Sequence, residues 1–324
     1  MSALPTNMTR RRFAQLIAAG GASVACAGVL SACGGNGADG SPSANDAEVK
    51  NQVIVAMNMN SEPAAGFDPF VSWGCGEHVH EPLIQSTLIT TDANLEFVND
   101  LATEYYCADD GMTWYFTIRD DAKFTDGEPL SASDVAFTIN GIIESEAAEA
   151  DLSMVEKAVA TDDTHVEITM TKPYNALLYT LAVVGIVPEH AHGEDYGANP
   201  IGSGRYMLEQ WDRGQQVILK ANPDYYGEAP KMERVVVVFM EEDAALAAVR
   251  AGQVDIAYTS ATYSDQTSEG YELFACETVD SRGISLPSIA AGQTKADGAN
   301  EYPAGNDVTC DLTVRRAINY GVDR

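Results

Sequence analysis

Asn199-Pro200-Ile201-Gly202-Ser203-Gly204-Arg205-Tyr206 opens the stretch, running on to Tyr258, whose reading decides the fold. A proline and two glycines mark a tight turn, and it feeds an alternating run of Tyr206, Leu208 and Trp211. Arg213-Gly214-Gln215 reads as a second turn, after which Val217 and Leu219 continue the alternation to Ala221, so the two runs form a hairpin. Asn222-Pro223-Asp224-Tyr225-Tyr226-Gly227 closes it. Past Pro230, Val235-Val236-Val237-Val238-Phe239 is a continuous β-branched run of the kind buried on both faces of a sheet. Asp243 is placed to cap a helix carrying Ala244, Leu246, Ala247, Val249 and Arg250, and Gly252 stops it before a strand from Val254 to Tyr258. Strand, helix and strand in that order make a βαβ-type unit.

The rest of the chain sets limits on that unit. At 324 residues with 45% hydrophobic and 8% aromatic content, it can build a sizeable core and two lobes. Asp and Glu number 48 against 19 Lys and Arg, a formal charge of −29. So acidic a surface excludes a nucleic-acid binder, whose partner needs a basic footprint. Thr9-Arg10-Arg11-Arg12-Phe13 resembles a twin-arginine export signal, with Arg10 and Arg11 as its pair, and the apolar segment that follows to Leu30 is short and rich in Gly and Ala. Leu30-Ser31-Ala32-Cys33 looks like a lipobox, with Cys33 as the lipidated residue and new N-terminus. Residues 34–49 are Gly, Ser, Ala, Asn and Asp in the main, a flexible tether.

Gln52 to Met57 reads as an opening strand. Ser131-Ala132-Ser133-Asp134 matches a capping box, and Val135, Ile139, Ile142 and Ile143 follow at helical spacing to about Glu146. Val166 to Met170 alternates as a strand, and Leu177 to Val184 is apolar enough for a buried helix. His78-Val79-His80 and His190-Ala191-His192 are His-x-His pairs, able to offer imidazoles to Zn²⁺ or Ni²⁺ but more simply solvated turns. Gly202-Ser203-Gly204 is not a nucleophile elbow, and neither a phosphate loop nor a His-Glu-x-x-His zinc motif occurs. Outside the leader, Cys75, Cys107, Cys276 and Cys310 allow three complete disulfide pairings, or free thiols, and sequence does not choose.

Three blocks, Asn199 to Tyr206, Asn222 to Tyr226 and Ala248-Val249-Arg250-Ala251-Gly252-Gln253-Val254-Asp255-Ile256, resemble the peptide/nickel family of ABC-importer substrate-binding proteins. Trp114 to Leu130, read as strand, turn and strand, and Asp307 to Arg324 resemble further blocks of it. The resemblance implies an α/β, periplasmic-binding-protein type of fold: two lobes of mixed sheet and an extra small α/β domain, with the C-terminal lobe truncated. Its expected division is a signal peptide over 1–33, the tether, lobe I over 50–88 and 190–275, the small domain over 89–189, and the start of the second lobe over 276–324. It also implies an extracytoplasmic, membrane-anchored monomer that is not an enzyme, needs no cofactor, binds an oligopeptide or similar small solute, and delivers it to an ABC permease. A nickel or other metal chelate is the alternative ligand, and a secreted metal-dependent hydrolase is the rival from another class. Trp73, Gly74, Cys75, Gly76 and His78 fall where the family lets a loop line the ligand cleft.

Overall fold

The computed structural model describes residues 51–324 apart from 72–81, 264, 267, 276–282, 298–299 and 323–324. Two larger sheets organise it. The first holds β1 (Gln52–Met57), β8 (Tyr206–Asp212), β9 (Gln216–Ala221), β10 (Arg234–Phe239) and β11 (Ile256–Ala257) in the order β11-β1-β10-β9-β8. β8, β9 and β10 form an antiparallel meander. β1 runs parallel to β10, with Gln52 opposite Arg234 and Met57 opposite Phe239, and parallel to β11 on its other side. The helix between β10 and β11, α3 (Glu242–Arg250), is the expected crossover. It steps over β1, a strand contributed from far upstream in the chain. Ala245, Leu246, Ala248 and Val249 are its buried stripe, and β1 and β11 lie under it.

Four local expectations change here. Asp243 lies inside the first turn of α3 rather than capping it: Met240 N–H donates to Met57 O at 2.9 Å, so the chain turns at Glu241 and the helix starts one residue later. β11 is two residues long, because the Asp255 carboxylate, not a backbone carbonyl, takes the Ile54 N–H at 2.9 Å. In β10 only Val236 and Phe239 are fully buried; Val235 and Val237, on the face shared with Met57, Phe67 and Trp211, are half-buried. The glycines of the opening stretch serve contact rather than turning. Neither Gly202 nor Gly204 has a positive φ, and a Cβ at Gly202 would lie 2.0 Å from Ile84 O, one at Gly204 2.6 Å from Leu83 O. Removing the side chain lets two backbones touch, joined by Gly204 N–H to Ile84 O at 2.8 Å and Tyr206 N–H to Leu83 O at 3.0 Å.

The second large sheet, order β4-β5-β7-β6, contains β4 (Ala102–Cys107), β5 (Thr113–Ile118), β6 (Val155–Ala160) and β7 (His165–Met170). Trp114, Phe116 and Ile118 alternate inward from β5 and Val166, Ile168 and Met170 from β7. The helix α1 (Ala132–Glu144) covers that face with Val135, Ile139 and Ile142. Each such fully buried apolar side chain is worth about 1.5–3 kcal/mol over an exposed one. Asp134 at the third helical position accepts from Ser131 N–H at 2.9 Å, the carboxylate half of the expected capping box. Residues 119–131 do not make the expected second strand. A lone bridge of Lys123 to Pro129 is all that pairs, since proline has no N–H to extend a ladder, and Phe124 and Leu130 turn into the core instead. The buried helix α2 (Leu177–Leu181) is shorter than its apolar run, which continues as buried loop through Val184, Ile186 and Val187.

β2 (Ile89–Thr91) and β3 (Phe97–Asn99) pair as a small hairpin, as do β12 (Gln293–Asp297) and β13 (Asn300–Ala304), ahead of α4 (Leu312–Gly321). Cys107 and Cys310 are free thiols, while Cys75 and Cys276 lie outside the described residues. No described helix is long and apolar enough to cross a membrane.

Candidate functional site

In an open α/β sheet the crevice beyond the carboxyl ends of the parallel strands is where loops diverge and ligands find room. Here β10 and β1 end level at Phe239 and Met57, and β11 ends one residue earlier at Ala257, opposite Ala56, locked by Met240 N–H to Met57 O and Tyr258 N–H to Ala56 O, each 2.9 Å. The turn of the β8–β9 hairpin reaches the same edge, because β9 runs antiparallel to β10 with Gln216 opposite Val238, and Phe239 N–H donates to Gln215 O.

After β1 the chain makes a 3-10 turn at Met59–Ser61, started by the Asn58 side chain accepting from Asn60 N–H at 3.0 Å. Glu62 then fixes this loop to the hairpin: its carboxylate accepts from Trp211 Nε1–H at 2.9 Å and from Gly214 N–H at 2.8 Å. Phe67 meets the Trp211 ring edge-on at 5.1 Å, and the Arg213 guanidinium lies 4.0 Å over it. At the other end of the edge is the N-terminus of α3, where Glu241, Glu242 and Asp243 suit the positive pole of the helix. Glu242 accepts from Ser260 N–H and Oγ–H, both at 3.0 Å, and a hydrogen bond to Asp243 pushes the Tyr263 hydroxyl above its ordinary pKa. Met59 and Tyr258 leave apolar surface exposed between these poles, 37% and 44% of each residue.

The loop expected to line a cleft leaves this edge too. Trp73, Gly74, Cys75, Gly76 and His78 lie outside the described residues, as do Cys33, Arg10 and Arg11, but both limbs of the loop are in view. Its base is closed by Gln85 Nε2–H donating to Phe67 O at 2.9 Å. On the outgoing limb the Asp68 carboxylate meets His192 Nε2 at 3.1 Å, Phe70 packs on the His192 ring at 4.1 Å, and Ser145 Oγ–H donates to Phe70 O at 2.7 Å. The returning limb, Leu83 and Ile84, is the strip clasped by Gly202 and Gly204. The Asn222 amide reinforces the clasp by donating to Gly204 O at 2.9 Å, so the Asn199–Tyr206 and Asn222–Tyr226 blocks meet in space.

The His190-Ala191-His192 pair does not converge. His192 faces Asp68, whereas His190 Nε2 meets Asp126 Oδ2 at 2.8 Å beside the Phe124 ring. His78 and His80 are outside the described residues, among which no group of three His, Cys, Asp or Glu is placed to hold a metal ion. The hydrogen bond to Asp126 raises the His190 pKa. A raised folded-state pKa makes the pair's stabilisation complete below the unfolded value of about 6.5, and it is lost as pH climbs through the folded value. Titration followed by NMR is expected to place His190 above the ordinary histidine range in the parent and to return it there in Asp126→Asn. An unmoved His190 titration would refute the pairing.

Sequence reasoning used Trp211 only as a strand residue and did not single out Glu62, Arg213 or Tyr258. The rule that ligands gather at carboxyl strand ends was the signal available for them.

Comparison with known proteins agrees with this architecture. Protein XP55 of Streptomyces lividans is 31% identical over 343 aligned positions, covering 100% of this chain and 58% of that protein. The probable D,D-dipeptide-binding periplasmic protein DdpA of Escherichia coli K12 is 29% identical over 233 positions, covering 67% of this chain and 45% of its own length. The crystal structure of NikZ from Campylobacter jejuni, in complex with Ni(L-His), superposes with a TM-score of 0.64 at 26% identity, over 85% of this chain and 54% of that one. The chain therefore spans about half the length of the relatives it matches. Residues 96–324, well over half of the chain, match the model of the bacterial extracellular solute-binding proteins, family 5 middle, and the chain belongs to that family.

Proposed function

We propose that this chain is the extracytoplasmic receptor of an ABC importer, binding an oligopeptide or a similar small solute and delivering it to the permease without chemical change. The observation that carries the reading is the edge where β10, β1 and β11 end within one residue of each other, with exposed Met59 and Tyr258 between the acidic start of α3 and Arg213. An amphipathic zwitterion suits that polarity. Ligand contacts made from both lobes would exist only when the lobes close, so binding would shift the population toward the state the permease reads. In this reading residues 50–88 and 190–275 form lobe I, 89–189 the small domain and 276–324 the start of the second lobe, a division supported by the separate sheets. Trp73, Gly74, Cys75, Gly76 and His78 would face the ligand.

A nickel chelate is the second reading, favoured by the likeness to NikZ, whose complex holds Ni(L-His). A chelate brings its own donors and asks the protein for shape and for groups that hold its carboxylates. Native mass spectrometry of the complete protein from its own host separates the two: a co-purified peptide supports the first reading, a nickel complex the second, and a protein that carries neither and binds neither when offered them overturns both.

The anchor belongs to the same proposal. Arg10 and Arg11 would direct export and Cys33 would carry the lipid, keeping a monomeric receptor at the membrane. Cys33→Ala is expected to move the protein from the detergent phase to the aqueous phase on Triton X-114 partitioning, or to leave an uncleaved precursor. Unchanged partitioning of the variant would exclude lipidation at Cys33.

A further inference from the structure

Among the arginines whose contacts the structure describes, most bond an oxygen. Arg119 pairs with Asp121 and Arg234 with Glu209, Arg250 bonds the Gln266 amide, and Arg315 bonds the carbonyls of Thr309 and Cys310. Arg213 is held by a ring face instead, in a chain where acidic residues outnumber basic ones 48 to 19. The ring is itself held firmly: Nε1–H is fixed by Glu62, Phe67 meets it edge-on, and its backbone is in β8 opposite Val217. A guanidinium stacked on a fixed aromatic keeps its N–H donors in its own plane, pointing outward and arranged as a fork. Arg213 is exposed, so that fork faces solvent. The nearby Glu62 carboxylate already accepts from two N–H groups, Trp211 Nε1 and Gly214.

We propose that Arg213, stacked on Trp211, is the residue that takes the ligand's carboxylate at the carboxyl edge of the sheet. The inference rests on the solute-binding reading and gives it a direction. From the β8 end to the β1 end is three strand spacings, about 14 Å. That is roughly the length of four extended residues. A ligand with its carboxylate on Arg213 lies across the strand ends with its body over Met59, and a positively charged far end approaches the acidic first turn of α3. The stack preorganises the fork, so binding a planar carboxylate through two parallel N–H···O bonds freezes little further motion. A peptide C-terminus and a chelating amino acid present the same group.

The test uses the complete protein, as wild type, Arg213→Gln and Arg213→Lys. Probes are a mixed library of tri- to pentapeptides, as free acids and as C-terminal amides, and the Ni²⁺ complexes of L-histidine and L-histidinamide. Retention after gel filtration is read by native mass spectrometry, and affinity for the best-retained pair by calorimetry. Wild type is expected to favour the free-acid form by about tenfold or more, as a charge-assisted bidentate pair should. Arg213→Gln is expected to bring the ratio near unity, and Arg213→Lys to fall between, since an ammonium lacks the fork. The peptide and chelate arms identify which source supplies the carboxylate. A wild type that binds acid and amide alike, or an Arg213→Gln protein that keeps the wild-type ratio, overturns the role of Arg213 alone. A wild type that binds none of the probes overturns the solute-binding reading and this role with it.

Discussion

Gly202→Ala is expected to lower the stability of the folded protein by about 3 kcal/mol, at the upper end of what one added methyl group costs in a packed site. The new Cβ would lie 2.0 Å from Ile84 O and 2.6 Å from Ile84 C, backbone atoms that cannot swing aside as a side-chain tip would. Moving either strip breaks bonds on both sides. Thr125 N–H donates to Gly202 O at 2.9 Å, and Gly204 N–H to Ile84 O at 2.8 Å, so the loop after β5 and the Leu83–Ile84 strip both depend on this glycine. Gly193 is the internal control, since a Cβ there meets nothing within 4 Å and its φ is not positive. Gly193→Ala should change stability by less than about 0.5 kcal/mol. Urea denaturation of the two variants decides it, and a Gly202→Ala protein as stable as Gly193→Ala would mean the clasp relaxes without cost. Since the clasp sets where the cleft loop returns, solute affinity should fall along with stability.

The second large effect is at Asp134, buried to 5% exposure at the start of α1. One carboxylate oxygen accepts from Ser131 N–H at 2.9 Å and from Ser131 Oγ at 3.0 Å; the other accepts from Glu189 N–H at 3.0 Å, 55 residues away. One side chain therefore caps the helix and pins the chain as it leaves the small α/β unit. Asp134→Ala removes a cap worth about 1 kcal/mol and orphans a distant backbone N–H at about 1–3 kcal/mol, a loss of roughly 3 kcal/mol in all. Asp134→Asn keeps one acceptor oxygen and should lose about half as much. Thermal or urea unfolding of both variants measures this. Equal loss in the two would show that charge rather than the two-sided acceptor geometry is what matters, and hydrogen exchange at Glu189 should rise in Asp134→Ala if the pin is real.

Both positions lie in stretches that the sequence picked out for a different reason. Gly202 was read as a turn residue and Asp134 as half of a capping box, and each also carries a contact with no counterpart in its neighbourhood of the chain. The candidate site was legible only in part. The loop of Trp73 to His78 was singled out, and its described limbs are clamped on one side by His192 and on the other by the glycine strip. The edge holding Glu62, Trp211, Arg213 and Tyr258 was not, because alternation gives a tryptophan in a strand its face but not the loop it meets.

What the sequence determined by itself is everything written in short-range spacing. The short apolar run of β1 and the alternating runs read for β8, β9 and β7 all appear as strands, the Arg213-Gly214-Gln215 turn joins its hairpin with Gly214 at a φ of 73°, and α1 is capped at Ser131 because Asp134 is three residues on. These follow from steric and hydrogen-bonding preferences that act within four residues. β6 escaped notice because Glu156 and Lys157 stand together on its exposed positions, at a shift in its register with β7, and blur the period. Only the tertiary structure decided that β1 slots between β10 and β11, that two glycines are absent side chains for the sake of another strand's carbonyls, and that the two histidines of one His-x-His pair take different carboxylates. Each of these is a contact between residues tens to hundreds of positions apart, and local preference is blind to it: the partner is chosen by which surfaces the packed sheets bring together, and only then does the side chain at each place acquire its role.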